Sequence, residues 1–108
     1  MSKIIQDKLR GMFLGIGIGD ALGMPVETWS PEKIKETYGR VETYQVPDGH
    51  KWFDGEKAGS VTDDTQLSVA VAEALLESGL DLAAQSKFHI TAFDQTTKGW
   101  GNSTRESV

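Results

Sequence analysis

Residues 62–79 read TDDTQLSVAVAEALLESG, and this stretch decides the fold. Leu67, Val71, Ala74 and Leu75 stand at i, i+4, i+7 and i+8, the spacing of one apolar face on an α-helix. Gly79 suits the position after the last turn, because glycine takes a left-handed backbone conformation without a Cβ clash. The spacing therefore predicts a helix over 63–78. It also sets Thr62-Asp63-Asp64-Thr65 at the helix start, where unsatisfied amides favour carboxylates.

That quartet has two compatible readings. Thr62 or Asp63 can serve as N-cap, and Asp63-x-x-Gln66 has the form of a capping box. Four consecutive oxygen-bearing side chains equally suit a hard divalent cation. Successive helical residues point about 100° apart. Asp63 and Asp64 would thus fan outward, which suits two ions about 3.5–4 Å apart better than one small ion clamped by both.

Upstream, Gly11, Gly15, Gly19 and Gly23 recur every fourth residue in an apolar run from Met12 to Val26. The i±4n positions form one ridge of a helix, so this spacing replaces a ridge by a shallow groove. Each glycine costs about 1 kcal/mol against alanine, which implies a helix buried inside a larger body. Asp20 interrupts the run before the roughly 20 apolar residues that a membrane span needs. A signal peptide is disfavoured by Asp7 among the basic residues and by the glycines that dilute 12–18. No membrane role is expected.

The remaining elements follow from punctuation. The first helix is predicted from about Lys3 to Met24, stopped by Pro25, which leaves Glu27 in the following turn. Ser30-Pro31 is an N-cap with proline at N1, opening a helix that Tyr38 and Gly39 close. Residues 40–60 carry no sustained period, only the turn signals Pro47-Asp48-Gly49 and Asp54-Gly55. Asp81 caps a further helix whose expected buried residues are Leu82, Phe88, Ala92 and Phe93. Residues 98–102, Lys-Gly-Trp-Gly-Asn, break it. The expected class is all-α.

Composition narrows the function. The chain has 108 residues, no cysteine and a formal charge of −5. Disulfides and thiolate metal sites are excluded, and the lack of cysteine points to a cytoplasmic location. An acidic chain without a Lys/Arg cluster is not a nucleic-acid binder. His50, in a polar turn, and His89, on a helix, are read as non-catalytic. Trp29, Trp52 and Trp100 flank loops and receive no role.

Gly19-Asp20-Ala21-Leu22-Gly23-x-Pro25-x-Glu27, followed by Gly59-x-x-Thr62-Asp63-Asp64-Thr65, resembles the ADP-ribosylglycohydrolase family. Gly99-Trp100-Gly101-Asn102-Ser103-Thr104 resembles a Gly-x-Gly-x-x-Thr stretch found in many members. The resemblance implies a compact all-α domain of roughly 250–350 residues, within the range of one large domain, of which residues 1–108 would be an N-terminal fragment. It implies two divalent cations, magnesium or manganese, with Thr62, Asp63 and Asp64 as metal ligands. Glu27 and Asp63 become candidate catalytic residues. Gly101 and Asn102 are candidates for substrate binding, and Asp20 for a structural bond to backbone near the site.

The implied reaction is metal-dependent hydrolysis that removes ADP-ribose from an ADP-ribosylated protein or a small conjugate. The resemblance also implies a second ligand motif, Asp-x-Asp-Thr/Ser, and a Gly-Asn-Gly-x-x-Met-Arg segment; the chain contains neither. Its own donors are too few for two ions, since magnesium alone takes roughly six oxygens. The 108 residues alone are therefore expected to be inactive, and to self-associate or fold poorly. The competing reading is a non-catalytic helical module of the same family, structural or ADP-ribose-binding; loss of either aspartate would have favoured it.

Overall fold

In the computed structural model, which describes residues 1–107, every regular element is helical. The order is α1 (Lys3–Gly23), a single 3-10 turn (Met24–Val26), α2 (Pro31–Tyr38), α3 (Asp63–Ser78), α4 (Leu82–Gln95) and α5 (Asn102–Glu106). The all-α expectation holds among the described residues. The chain divides into two compact units, Met1–Val61 and Thr62 onward. No helix among the described residues is long and apolar enough to cross a membrane.

In the first unit, α1 is opened by Ser2, whose hydroxyl accepts from the Ile5 amide at 3.2 Å. It ends one residue earlier than the sequence predicts. Pro25 occupies the early position of the 3-10 turn, where its missing N–H costs nothing. The backbone thus tightens rather than stops, and Glu27 closes that turn with extended geometry at φ −55° and ψ 131°. Ser30 caps α2 as predicted, accepting from the Lys33 amide at 3.2 Å, and Gly39 ends it at φ +70°.

The core of this unit gathers at the C-terminal end of α1 and in the long loop. Met24, Pro25, Pro47 and Phe53 are its most completely buried side chains, joined by Ala21 and His50. Away from that end α1 is bare. Gly11, Gly15, Gly19 and Gly23 are exposed, and a Cβ added at any of them would meet nothing within 4 Å. Ile4, Leu14 and Ile18 are exposed beside them. The expected burial of the glycine groove is therefore not met within residues 1–107.

The second unit is an α3–α4 hairpin carrying α5. α3 spans the predicted residues, and Gly79 ends it at φ +65°. The buried face is turned from the predicted one. Ala74 is buried as predicted and Ala70 joins it, whereas Val71 and Leu75 are 38% and 44% exposed. Two alanines at i, i+4 make a low ridge against which a second helix can settle closely, so small size outweighs hydrophobicity here. On α4 the correction is similar. Leu82 is 86% exposed, while Ala84 is buried and Phe88, Ala92 and Phe93 are half-buried. Ala84, Phe88 and Ala92 share the i±4n ridge; Leu82 lies two residues, about 200°, from Ala84. Asp81 caps α4 as predicted, accepting from the Ala83 amide at 2.9 Å.

Candidate functional site

The oxygen-rich quartet lies where the sequence sets it. Thr62 is the N-cap position of α3 with extended backbone, and its carbonyl accepts the first helical bond, from the Gln66 amide, at 3.2 Å. The Thr62 side chain makes no capping bond, although the residue is only 3% exposed. Asp63 and Asp64 occupy the first turn, Asp63 half-buried and Asp64 exposed. Two carboxylates therefore stand at the positive end of the α3 dipole. Ser68 donates to the Asp64 carbonyl at 2.6 Å, one turn inward.

The capping-box expectation fails at Gln66. Its side-chain oxygen instead accepts from the indole Nε1–H of Trp100 at 3.1 Å. Trp100 is buried and meets Phe93 edge-on, with ring centroids 5.8 Å apart. Arg105 closes the loop from the other side. Its Nε donates to the Trp100 carbonyl and its Nη2 to the Thr97 carbonyl, each at 3.0 Å. Gly101 and Asn102 follow directly, as the N-cap and first residue of α5, and both are exposed. Thr62–Asp64 and Gly101–Asn102 thus belong to one hydrogen-bonded assembly within the second unit. The bond between Trp100 and Gln66 is its tie.

Glu27 belongs to the first unit. It is half-buried and precedes Thr28, the one non-glycine residue among those described with a positive φ, at +66°. A β-branched residue there stores about 1–3 kcal/mol and persists only where the surroundings over-determine it. Those surroundings are aromatic. Trp29 stacks on Tyr38 and on His50 at centroid distances of 6.1 Å, and Lys33 lies 4.0 Å over the Trp29 ring. His50 reaches the Glu27 carbonyl with Nε2 at 3.0 Å. The sequence reading placed His50 in a polar turn; it is buried instead. The neighbouring Trp52 and Phe53 carried the signal, since a histidine beside two aromatics belongs with core.

As metal donors, Thr62, Asp63 and Asp64 have the right chemistry: hard, anionic or neutral oxygens on adjacent residues. Among the described residues, however, no three His, Cys, Asp or Glu side chains converge to hold a metal.

The comparisons agree with the residues. The sequence model of the ADP-ribosylglycohydrolase family matches residues 1–108. An uncharacterized protein of Archaeoglobus fulgidus is 42% identical over 74 residues, covering 68% of this chain and 23% of that protein. The ADP-ribosyl-[dinitrogen reductase] glycohydrolase of Rhodospirillum rubrum is 38% identical over 80 residues, 73% of this chain and 26% of that enzyme. YegU of Escherichia coli K12 is 31% identical over 72 residues, 66% of this chain and 22% of that protein. The chain thus spans about a quarter of the length of the curated relatives it matches. No solved structure matches it significantly. This chain belongs to the ADP-ribosylglycohydrolase family.

Proposed function

We propose, proceeding from that membership, that the chain carries part of a metal-dependent hydrolase that removes ADP-ribose from a modified side chain or a small acceptor. The observation that supports it most is the second-unit assembly, in which the Trp100–Gln66 bond ties Gly101 and Asn102 to the helix that begins at Asp63-Asp64. Oxygen donors for a cation and backbone suited to approach a ribose are then held by one framework.

In this reading Thr62, Asp63 and Asp64 hold one side of a centre of two magnesium or manganese ions. When bound, the ions orient ribose hydroxyls and bring a bound water toward ionisation at neutral pH. Gly101 and Asn102 meet the substrate through groups that a bulkier loop would block. Glu27 positions or deprotonates the attacking water. The water oxygen bonds to the anomeric carbon as the bond from that carbon to the acceptor nitrogen or oxygen breaks, and the acceptor leaves with a proton. A carboxylate raises the rate of such a step by taking the water proton as the new bond forms.

Joined to the rest of a family domain, the chain should be active; alone, its donors leave both ions under-coordinated. The same reading assigns the exposed α1 groove to a covering surface, supplied in the isolated chain by self-association. The test is to splice the chain in place of the matching segment of the Rhodospirillum rubrum glycohydrolase. The splice should release ADP-ribose from an ADP-ribosylated peptide, and chelation of divalent cations should stop it. A splice that folds, by its helical circular dichroism and cooperative melting, yet releases no ADP-ribose would overturn the proposal.

A further inference from the structure

We infer that His50 is a positioning residue for Glu27, acting through the Glu27 main chain as a neutral imidazole with its proton on Nε2. The inference deepens the reading of Glu27 as the residue that handles water, and rests on it. Two contacts fix the ring. The Trp52 amide lies 3.1 Å from Nδ1, and a backbone N–H can only donate, so Nδ1 must be the acceptor. A neutral imidazole with an unprotonated Nδ1 carries its proton on Nε2, which therefore donates to the Glu27 carbonyl at 3.0 Å.

The ring has little freedom to do otherwise. His50 is 3% exposed, with Phe53 5.0 Å away by ring centroids and Trp29 stacked at 11° between planes. Its own amide donates to the carbonyl of buried Pro47. On the other side, the accepting carbonyl belongs to the peptide that links Glu27 to Thr28, the residue with φ +66°. Trp29 closes the same turn by donating to the Val26 carbonyl at 2.9 Å. His50 thus grips the peptide plane immediately after the Glu27 Cα from 23 residues away. Holding that plane holds the direction in which the Glu27 Cα–Cβ bond leaves the chain. A misplacement of about 1 Å in a reacting group costs about 10²-fold in rate.

Two variants separate the two ends of the ring. His50→Gln keeps an N–H donor near the Nε2 position, whereas His50→Asn keeps an acceptor near Nδ1 and cannot reach Glu27. Long-range 1H–15N correlation on the 108-residue chain should show an Nε2-protonated His50. His50→Asn should shift the Glu27 carbonyl 13C resonance and speed exchange of the Thr28 amide, and His50→Gln should largely restore both. In the spliced enzyme, His50→Asn should lower kcat about 10²-fold at unchanged KM, add little to Glu27→Gln, and be rescued by His50→Gln. An Nδ1-protonated ring, or a Glu27 carbonyl indifferent to His50→Asn, would overturn the inference, and the wild-type tautomer decides it even if a variant fails to fold. Should Glu27→Gln itself leave turnover intact, the reading of Glu27 fails, while the resonances of the chain still decide whether His50 holds its peptide.

Discussion

The indole Nε1–H of Trp100 donates to the side-chain oxygen of Gln66, 34 residues earlier, at 3.1 Å. This bond joins the loop before α5 to the first turn of α3, next to the aspartate pair. It links the two halves of the proposed second-unit site through their side chains.

Trp100→Phe should test that link. Phenylalanine keeps the edge-on contact to Phe93 and loses only the donor. The expected cost is about 0.5–1.5 kcal/mol, read as faster hydrogen exchange at the Trp100 and Arg105 amides with α4 unaffected. Unchanged exchange would mean that the Arg105 bonds and the Phe93 contact hold the loop without it.

Capping and metal binding can be separated along the chain. Asp81 makes a side-chain capping bond and Thr62 does not. Asp81→Ala should cost about 0.5–2 kcal/mol of helix stability and leave metal affinity alone. Asp63→Asn removes a charge from the positive end of the α3 dipole and should weaken metal binding. The reverse ranking, in paired denaturation and calorimetric titrations, would restore the capping reading of Asp63.

Much of this was legible in the sequence, and the misses have a common cause. The bounds of α3, the Ser30 and Asp81 caps and the glycine ends at Gly39 and Gly79 are local events, set by a few adjacent residues. The buried faces of α3 and α4 are not. Ala70 and Ala84 outrank Val71 and Leu82 because a close helix pair selects for small size, which a hydrophobicity pattern cannot weigh. Gln66–Trp100 and His50–Glu27 join residues far apart in the chain, so spacing rules gave no sign of either.

The bare face of α1 leads to a prediction about association. Leu14 and Ile18 are exposed at i, i+4 beside the open glycine groove. The isolated chain should associate with rising concentration in sedimentation experiments. The double variant Leu14→Glu, Ile18→Glu should sediment as a monomer with its helix content retained. A wild-type chain that stays monomeric throughout would remove α1 as an association surface.

Glu27→Gln in the spliced enzyme should lower single-turnover hydrolysis of an ADP-ribosylated peptide by about 10²–10⁴-fold, the range for a lost general base. Metal content should change little, because Glu27 is not one of the proposed metal ligands, and the contact with His50 is kept because it uses the Glu27 carbonyl. An unaltered rate would take Glu27 out of the mechanism.

The most direct measurement is paramagnetic broadening of the 15N-labelled chain by substoichiometric Mn2+, which detects even the weak binding expected of an incomplete donor set. The account predicts that amides of Thr62–Gln66 lose intensity first, followed by those of Trp100–Asn102. Asp63→Asn combined with Asp64→Asn should abolish the effect while α3 remains helical. Broadening centred on other carboxylates, or broadening at Thr62–Gln66 that survives the double substitution, would contradict the claim that this helix start is a divalent-cation site.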